Sequence, residues 1–272
     1  MSATTAVAPP REGRIRRRLR RLEPGAVAGV MSRDVTNFKS FWKTTTFSSI
    51  LDPVIYLLAF GLGFGTLVSV VNGIDYVYFV GTGMVATAVL FSSVFSAMYG
   101  VFIKHRFQHT YDAILAAPVD VEELVSGEML WIGLRAGVFG TFPLLVTIGF
   151  GLDPAPGMVL VPFFSLITAL AFAGFGIAVA GSVAKIDQFN YITTLVITPM
   201  FLLAGTFFPI DQLPEWAQVL SQLNPLHQLV VLVRDACFGF EWTDLLRLAG
   251  LVVLAFAMWR LAISRLTRRL ID

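Results

Sequence analysis

The sequence predicts an all-α polytopic membrane protein, and three observations carry that prediction. Hydrophobic residues make up 56% of the 272 residues and charged residues only 14%, against about 25% charged in a soluble domain. Several runs exceed the ~18 apolar residues that suit a helix crossing the hydrocarbon core. These runs lack the alternation of barrel strands, the only other architecture that satisfies a backbone in lipid.

Residues 1–23 hold seven arginines, which predicts a basic cytoplasmic tail drawn to anionic headgroups. Nucleic acid is a poorer partner, because the net charge is only +2 and no recognition fold follows. Residues 24–45 then predict an amphipathic helix lying in the membrane surface. Val27, Val30, Met31, Val35, Phe38 and Trp42 recur at three- and four-residue spacing, while Arg33, Asp34, Asn37, Lys39 and Lys43 fill the other face. The first apolar run begins near residue 47, too late and too long for a cleaved signal peptide. The single Cys237 excludes an intrachain disulfide.

Six spans are expected within a transmembrane domain covering 47–264: 47–71, 77–102, 129–152, 157–183, 190–208 and 245–264. Short turns join the first pair (NGID) and the third and fourth spans (DPAPG). With the N-terminus inside, all of the 20 Lys and Arg residues except Arg135, Arg234 and Arg247 fall on the cytoplasmic side, counting Arg260 at the inner end of span six. Both termini, including 265–272, are then expected in the cytoplasm. Two longer connections remain, 103–128 inside and 209–244 outside.

The inner connection reads KHRFQHTYDAILAAPVDVEELVSGE. Phe107, Tyr111, Ile114 and Leu115 predict the apolar face of a helix, and His105, Gln108, His109 and Asp112 its other face. This helix should end before Pro118, with Asp120 capping a second helix that leads into span three. A helix at the tip of a spanning hairpin suits insertion into a groove on a soluble partner, with force passed to both attached spans. His105 and His109, four apart, would share a face and with Asp112 superficially resemble metal ligands. A solvated helix face is the favoured alternative, since HRFQH lacks the intervening Glu of a metallohydrolase helix and nothing nearby completes a second shell.

Asp52 (before Pro53), Glu128 and Arg135 sit in or at the ends of apolar runs, where a charge needs a partner. Glu128 and Arg135 are seven apart on one face of span three. They suit a structural ion pair in the bundle or at a subunit interface, or else contact with a substrate or proton. Asp52 also suits the inner headgroup level, where solvation is cheap. Gly61, Gly63 and Gly65 in AFGLGFGT, with Gly174 and Gly176 in AFAGFGIA, lie inside apolar runs. That excludes a nucleotide loop and suits close helix approach. Phe64, Phe91, Phe95, Phe172 and Phe175 would either line a lipid-compatible path or pack the core and lipid face.

In the outer connection, Pro214 suits a first helical turn, where a missing N–H costs nothing. Trp216, Val219, Leu220 and Leu223 then form an apolar face. Asn224-Pro225 breaks that helix, and Leu226–Val233 begins a second run too short to span. Two short helices re-entering the outer leaflet fit these lengths.

The whole pattern, from about residue 24 to 265, resembles the ABC-2 type (type V) exporter permeases. The resemblance is most specific at Gly205, Phe208-Pro209, Leu213-Pro214, Asn224-Pro225-Leu226 and Arg234. SFWKTTTFSSILDPVIYLLAFGLGFG and YDAILAAPVDVEELVSGEMLW look most like the nodulation-factor and lipooligosaccharide export branch, followed by the drug-resistance permeases of antibiotic producers.

The resemblance implies a homodimeric permease in the cell membrane, bacterial inner membrane by analogy, paired with two copies of a separate ABC ATPase. ATP and Mg would be bound by that partner, because this chain has no GxxxxGK[ST] loop. No catalytic residue and no metal ligand is expected. The region 103–124, with Arg106, Phe107, Thr110, Tyr111, Asp112, Leu115 and Pro118, would correspond to the family's ATPase-coupling helix. The helix over 24–45, with Arg33, Phe38 and Trp42, would correspond to its connecting helix. Phe208, Pro209, Leu213, Pro214, Trp216, Asn224, Pro225 and Arg234 would form the extracellular gate. Arg234 could close it by pairing with Asp235, Asp211 or a carbonyl, or could meet an anionic substrate group. The expected substrate is amphipathic: a lipid-linked oligosaccharide, a glycolipid or a hydrophobic drug. An intramembrane enzyme using His105, His109 and Asp112, or a membrane assembly scaffold, are the alternative functions.

Overall fold

Long apolar runs become long helices, and the polar or proline-bearing stretches between them become short ones. A computed structural model of the chain describes residues 22–68 and 70–271; the arginine-rich run expected as a basic tail therefore lies almost wholly outside the described residues. Helix α1 (Pro24–Phe38) opens with a proline in its first turn and ends well short of residue 45. The chain turns through Lys39–Phe41 and starts again as α2 (Trp42–Leu58). Trp42 thus opens the next helix and does not close the amphipathic one. Beyond Leu58 the winding loosens into a π-helical turn over Ala59–Gly63 and a 3-10 turn over Phe64–Thr66.

A small hairpin follows, in which β1 (Val70–Val71) pairs antiparallel with β2 (Ile74–Asp75). Asn72 and Gly73 form its turn with φ of 50° and 79°, the positive pair that an Asn-Gly hairpin turn requires. Then come α3 (Tyr76–Arg106), α4 (Thr110–Leu115), α5 (Val121–Gly140) and α6 (Phe142–Gly149). Thr141 separates the last two just ahead of Pro143, whose ring cannot donate to the helix ladder. Helix α7 (Val161–Ser182) is followed by α8 (Phe189–Ile192), a second π-helical turn over Thr193–Ile197, and α9 (Thr198–Leu202). The described chain ends with α10 (Glu215–Leu223), α11 (Pro225–Phe238) and α12 (Thr243–Ile271).

Four helical stretches among the described residues are long and apolar enough to cross a membrane: Tyr76–Arg106, Val121–Gly149, Pro156–Ser182 and Thr243–Leu270. They overlap the second, third, fourth and sixth expected spans. The segments expected as spans one and five form no such continuous helix. One opens on the hydroxyl-rich WKTTTFSS of α2 and loosens after Leu58; the other is divided by its π-helical turn and stops at Leu202.

Helix α7 occupies the centre of the bundle, packed on α3, α5 and α12. Two of its glycines sit where close approach leaves no room for a side chain. A Cβ on Gly176 would stand 2.5 Å from Ala97 of α3, and one on Gly174 would stand 3.0 Å from Met258 of α12. Small residues at such crossings let helix backbones meet, as expected. Gly63 and Gly65 behave differently. A Cβ on Gly63 would meet nothing, and one on Gly65 would reach only a carbonyl at 4.0 Å. They belong to the loosened end of the first segment and not to a helix crossing.

Helix α1 packs on α5. Its buried positions are Val30 and Asp34, so an acid from the expected polar face shares the inward stripe. Gly127 of α5 makes room for it: a Cβ there would fall 2.7 Å from the Val30 side chain.

Candidate functional site

Three features stand out from the bundle. The first is a cavity of about 610 Å³ between α2, α3, the end of α5 and the α9 region, within the ~300–1,000 Å³ of small-ligand pockets. Helix α2 supplies its polar wall. Thr44, Thr45, Ser48, Ser49 and Asp52 recur on successive turns of one face, followed by Tyr56. Opposite stand the rings of Phe91, Phe139, Phe201 and Phe207. Phe91 stacks on Phe95 at 5.4 Å and tilts against Phe201 at the same distance. Of the five phenylalanines singled out in the sequence, Phe91 lines this space. Phe172 is buried in the core, and Phe64 is exposed and stacked on Phe60.

The second feature is a cluster of four charges where α1, α3 and α5 meet. Lys104 Nζ lies 2.7 Å from Glu128 Oε2 and 3.0 Å from Asp34 Oδ2. Arg33 Nη2 lies 2.9 Å from Glu128 Oε1 and 2.8 Å from Asp34 Oδ1. Both acids are almost completely buried, and each is met by both cations. Glu128 therefore does not pair with Arg135. That guanidinium instead donates through Nη2 to the Ser96 hydroxyl of α3. Sharing a helix face placed the two residues on one side, but the neighbouring helices brought nearer partners.

Just beyond the cluster, the inner connection is broken where a continuous helix was expected. Helix α3 ends at Arg106, and His109 takes a left-handed conformation (φ 49°) before α4 begins. Tyr111 is completely buried, whereas Phe107 is 66% exposed, so the two do not share one apolar face. Arg106, Asp112 and Pro118 are exposed, Thr110 and Leu115 half-buried. Burial, and then the Glu128 carboxylate, push the Tyr111 hydroxyl well above the usual tyrosine range. His105 stacks on Tyr111 at 6.4 Å, while His109 Nδ1 pairs with Asp112 Oδ2 at 3.0 Å in solvent. The two histidines thus stand on either side of the break, His105 in α3 and His109 just ahead of α4. Residues missed by pattern reading complete this end. The Glu123 carboxylate accepts the N–H of Glu23 ahead of α1 and that of Asp120 ahead of α5, both at 2.9 Å.

The third feature is the outer cap. Helix α10 begins after Pro214, and α11 begins at Pro225 with the Asn224 side chain accepting from the Leu226 N–H at 2.9 Å. Asn224 Nδ2 also donates to the Met200 carbonyl at 2.6 Å, and His227 Nδ1 donates to the Ala204 carbonyl at 2.9 Å. Arg234 Nη2 donates to the carbonyls of Gly205 (2.8 Å) and Phe79 (3.1 Å). Its guanidinium lies 3.6 Å from the Phe79 ring centre. Carbonyls, and not Asp235 or Asp211, are its partners. Gly205 has φ 79°, a conformation that suits glycine at the turn Arg234 grips. Pro209 is buried nearby and Leu213 half-buried, while Phe208 is exposed. Trp216, Val219, Leu220 and Leu223 are also exposed, so the apolar face of α10 looks away from the protein.

The family of ABC-2 type transporters matches residues 26–238. The chain is similar to nodulation protein J of Rhizobium meliloti (strain 1021), 33% identical over 234 residues that cover 84% of this chain and 89% of that protein. It is similar to nodulation protein J of Rhizobium leguminosarum bv. viciae, 35% identical over 202 residues covering 73% and 78%. It also resembles the inner membrane transport permease YadH of Escherichia coli (strain K12), 23% identical over 248 residues covering 90% and 95%.

Proposed function

The chain belongs to the ABC-2 type transporter family, and from that premise we propose that it moves an amphipathic substrate out of the cytoplasm or inner leaflet. It is a multi-pass membrane permease, a transport subunit without an ATPase domain, and permeases of this family pair with nucleotide-binding ATPase subunits. In this reading two copies of the chain associate with two ATPase subunits, which bind ATP and Mg. The segments 42–66 and 189–203 complete a set of six spans, and both termini face the cytoplasm. A lipid-linked oligosaccharide, a glycolipid or a hydrophobic drug all suit the path.

The observation that carries the proposal is the exposed inner tip seated on the buried charge cluster. Arg106, Phe107, Asp112 and Pro118 present a surface for the ATPase, while Tyr111 roots α4 beside Glu128. A displacement of α4 would pass through Lys104 and Glu128 to α3 and α5, and through Asp34 to α1. The outer helices α10 and α11 would close the far end, with Arg234 holding 205 and 79 together. The cavity beside α2 would take the substrate.

Co-expression of the chain with an ABC ATPase encoded beside it tests this reading. The Phe107→Asp variant should retain its thermal stability yet lose co-purification with the ATPase or uncouple its ATP hydrolysis. Unchanged association and transport would sink the assignment of this surface.

A further inference from the structure

The cavity's polar wall is made of hydroxyls and a single carboxylate. Thr45 Oγ1 donates to the Phe41 carbonyl at 3.3 Å, Ser49 Oγ to the Thr45 carbonyl at 2.8 Å, and Ser92 Oγ to the Ala88 carbonyl at 2.6 Å. A hydroxyl has one proton and two lone pairs. These three protons are committed to the helix backbone, so Thr45, Ser49 and Ser92 offer lone pairs to the cavity, while the hydroxyls of Thr44, Ser48 and Tyr56 keep a proton to donate as well. Asp52 is the one charged residue lining the space, and it has neither hydrogen bond nor ion pair among the described residues. Among the described residues, no Lys, Arg, His, Asn or Gln lines the cavity.

A ladder of hydroxyls rising to an unpaired carboxylate, with no cation beside it among the described lining residues, favours a cationic head and repels an anionic one. From Thr44 to Asp52 it runs about 12 Å at the rise of a helix, with aromatic faces opposite for an apolar body and for the cation itself. We propose that this cavity binds amphiphiles bearing an ammonium group, with Asp52 as the counter-charge and the Thr45–Ser49 hydroxyls as secondary acceptors. Among the substrates compatible with export, an amine-bearing molecule then fits best and a phosphate-headed lipid worst. The inference deepens the export reading by naming the head that this cavity recognises.

The test uses the purified full-length chain in nanodiscs and three fluorescent probes with a common alkyl tail, ending in an ammonium, a glucoside or a phosphate. In the wild-type protein the ammonium probe should bind tightest and the phosphate probe weakest. Asp52→Asn should weaken the ammonium probe about tenfold, the scale of one charge-assisted contact, while changing the glucoside probe less than about twofold. Asp52→Glu should restore most of the ammonium affinity. Equal ammonium binding by wild type and Asp52→Asn, or a phosphate probe bound as tightly as the ammonium, overturns the proposal. A thermal melt of each variant excludes misfolding as the cause. If the chain associates with its ATPase but binding ignores Asp52, the head assignment falls and the export reading stands. If binding depends on Asp52 while no ATPase associates, the export reading falls instead.

Discussion

Lys104 on α3 stands 2.7 Å from Glu128 on α5, and the same ammonium reaches Asp34 on α1 at 3.0 Å. One cation therefore closes a joint among three helices that are far apart in sequence. Two acids and two bases balance there, which makes burial of the acids tolerable, since an unpaired ion in such a site costs several kcal/mol. The cluster fixes how α1 sits against the bundle, because Val30 and Asp34 are its two buried positions.

Lys104→Met should leave two nearly buried carboxylates with Arg33 alone, costing about 3–5 kcal/mol of stability. Adding Glu128→Gln should recover part of that loss, because the remaining Asp34–Arg33 pair is balanced. A double-mutant cycle on thermal unfolding in nanodiscs measures the coupling. Strict additivity would show that the two side chains do not act as one joint.

Tyr111 is expected to act as an anchor, not as a surface contact. Tyr111→Ala empties a fully buried site and should cost about 3–5 kcal/mol, the scale of a large aromatic truncation. Tyr111→Phe keeps the ring and should remain close to wild type in stability. Limited proteolysis across 107–118 reads the difference locally. Cleavage should rise in Tyr111→Ala and stay unchanged in Tyr111→Phe.

The legible parts of this fold were those set by local composition. Helices α3, α5, α7 and α12 follow from apolar runs that neither water nor a short loop would accept. The starts of α10 and α11 follow from Pro214 and Asn224-Pro225, which act within a few residues. The charge cluster was not legible, because its members come from three helices and meet only through packing. Arg135 attracted attention by its seven-residue spacing from Glu128, yet spacing along one helix does not say what the next helix brings. Asp34 looked solvent-facing from periodicity alone, although it lies one turn beyond Val30 on the stripe that packs against α5. The bend at His109 was equally hidden. Histidine tolerates a left-handed backbone better than a β-branched residue does, but nothing in HRFQHTYD announces the break.

Arg234 is expected to hold the outer cap through geometry as well as charge. Arg234→Lys keeps the charge but loses the planar fork and the close stacking on Phe79. It should destabilise the link between the 200–205 turn and α3 by about 1–3 kcal/mol. Faster hydrogen exchange at 203–207, with little change in α7, would register it. Identical protection in Arg234→Lys would mean that the two carbonyl contacts carry little energy.

The outer face should also respond to external pH through Asp235. Burial first, then the hydrogen bond and charge of Asp244, raise its carboxyl from 3.8 to about 7, while Asp244 itself is completely buried at the start of α12. A carboxyl raised on folding holds its proton in the folded state at pH values where the unfolded chain has already lost it. The contribution of Asp235 to stability should therefore be greatest at low pH, fall as pH rises from about 4 to about 7, and level off above that. Thermal melts between pH 5 and 8 should show the melting temperature falling over this window. Asp235→Asn should flatten the dependence and stabilise the protein mainly at the upper end. A variant whose melting temperature keeps the full pH slope would assign the titration to a different group.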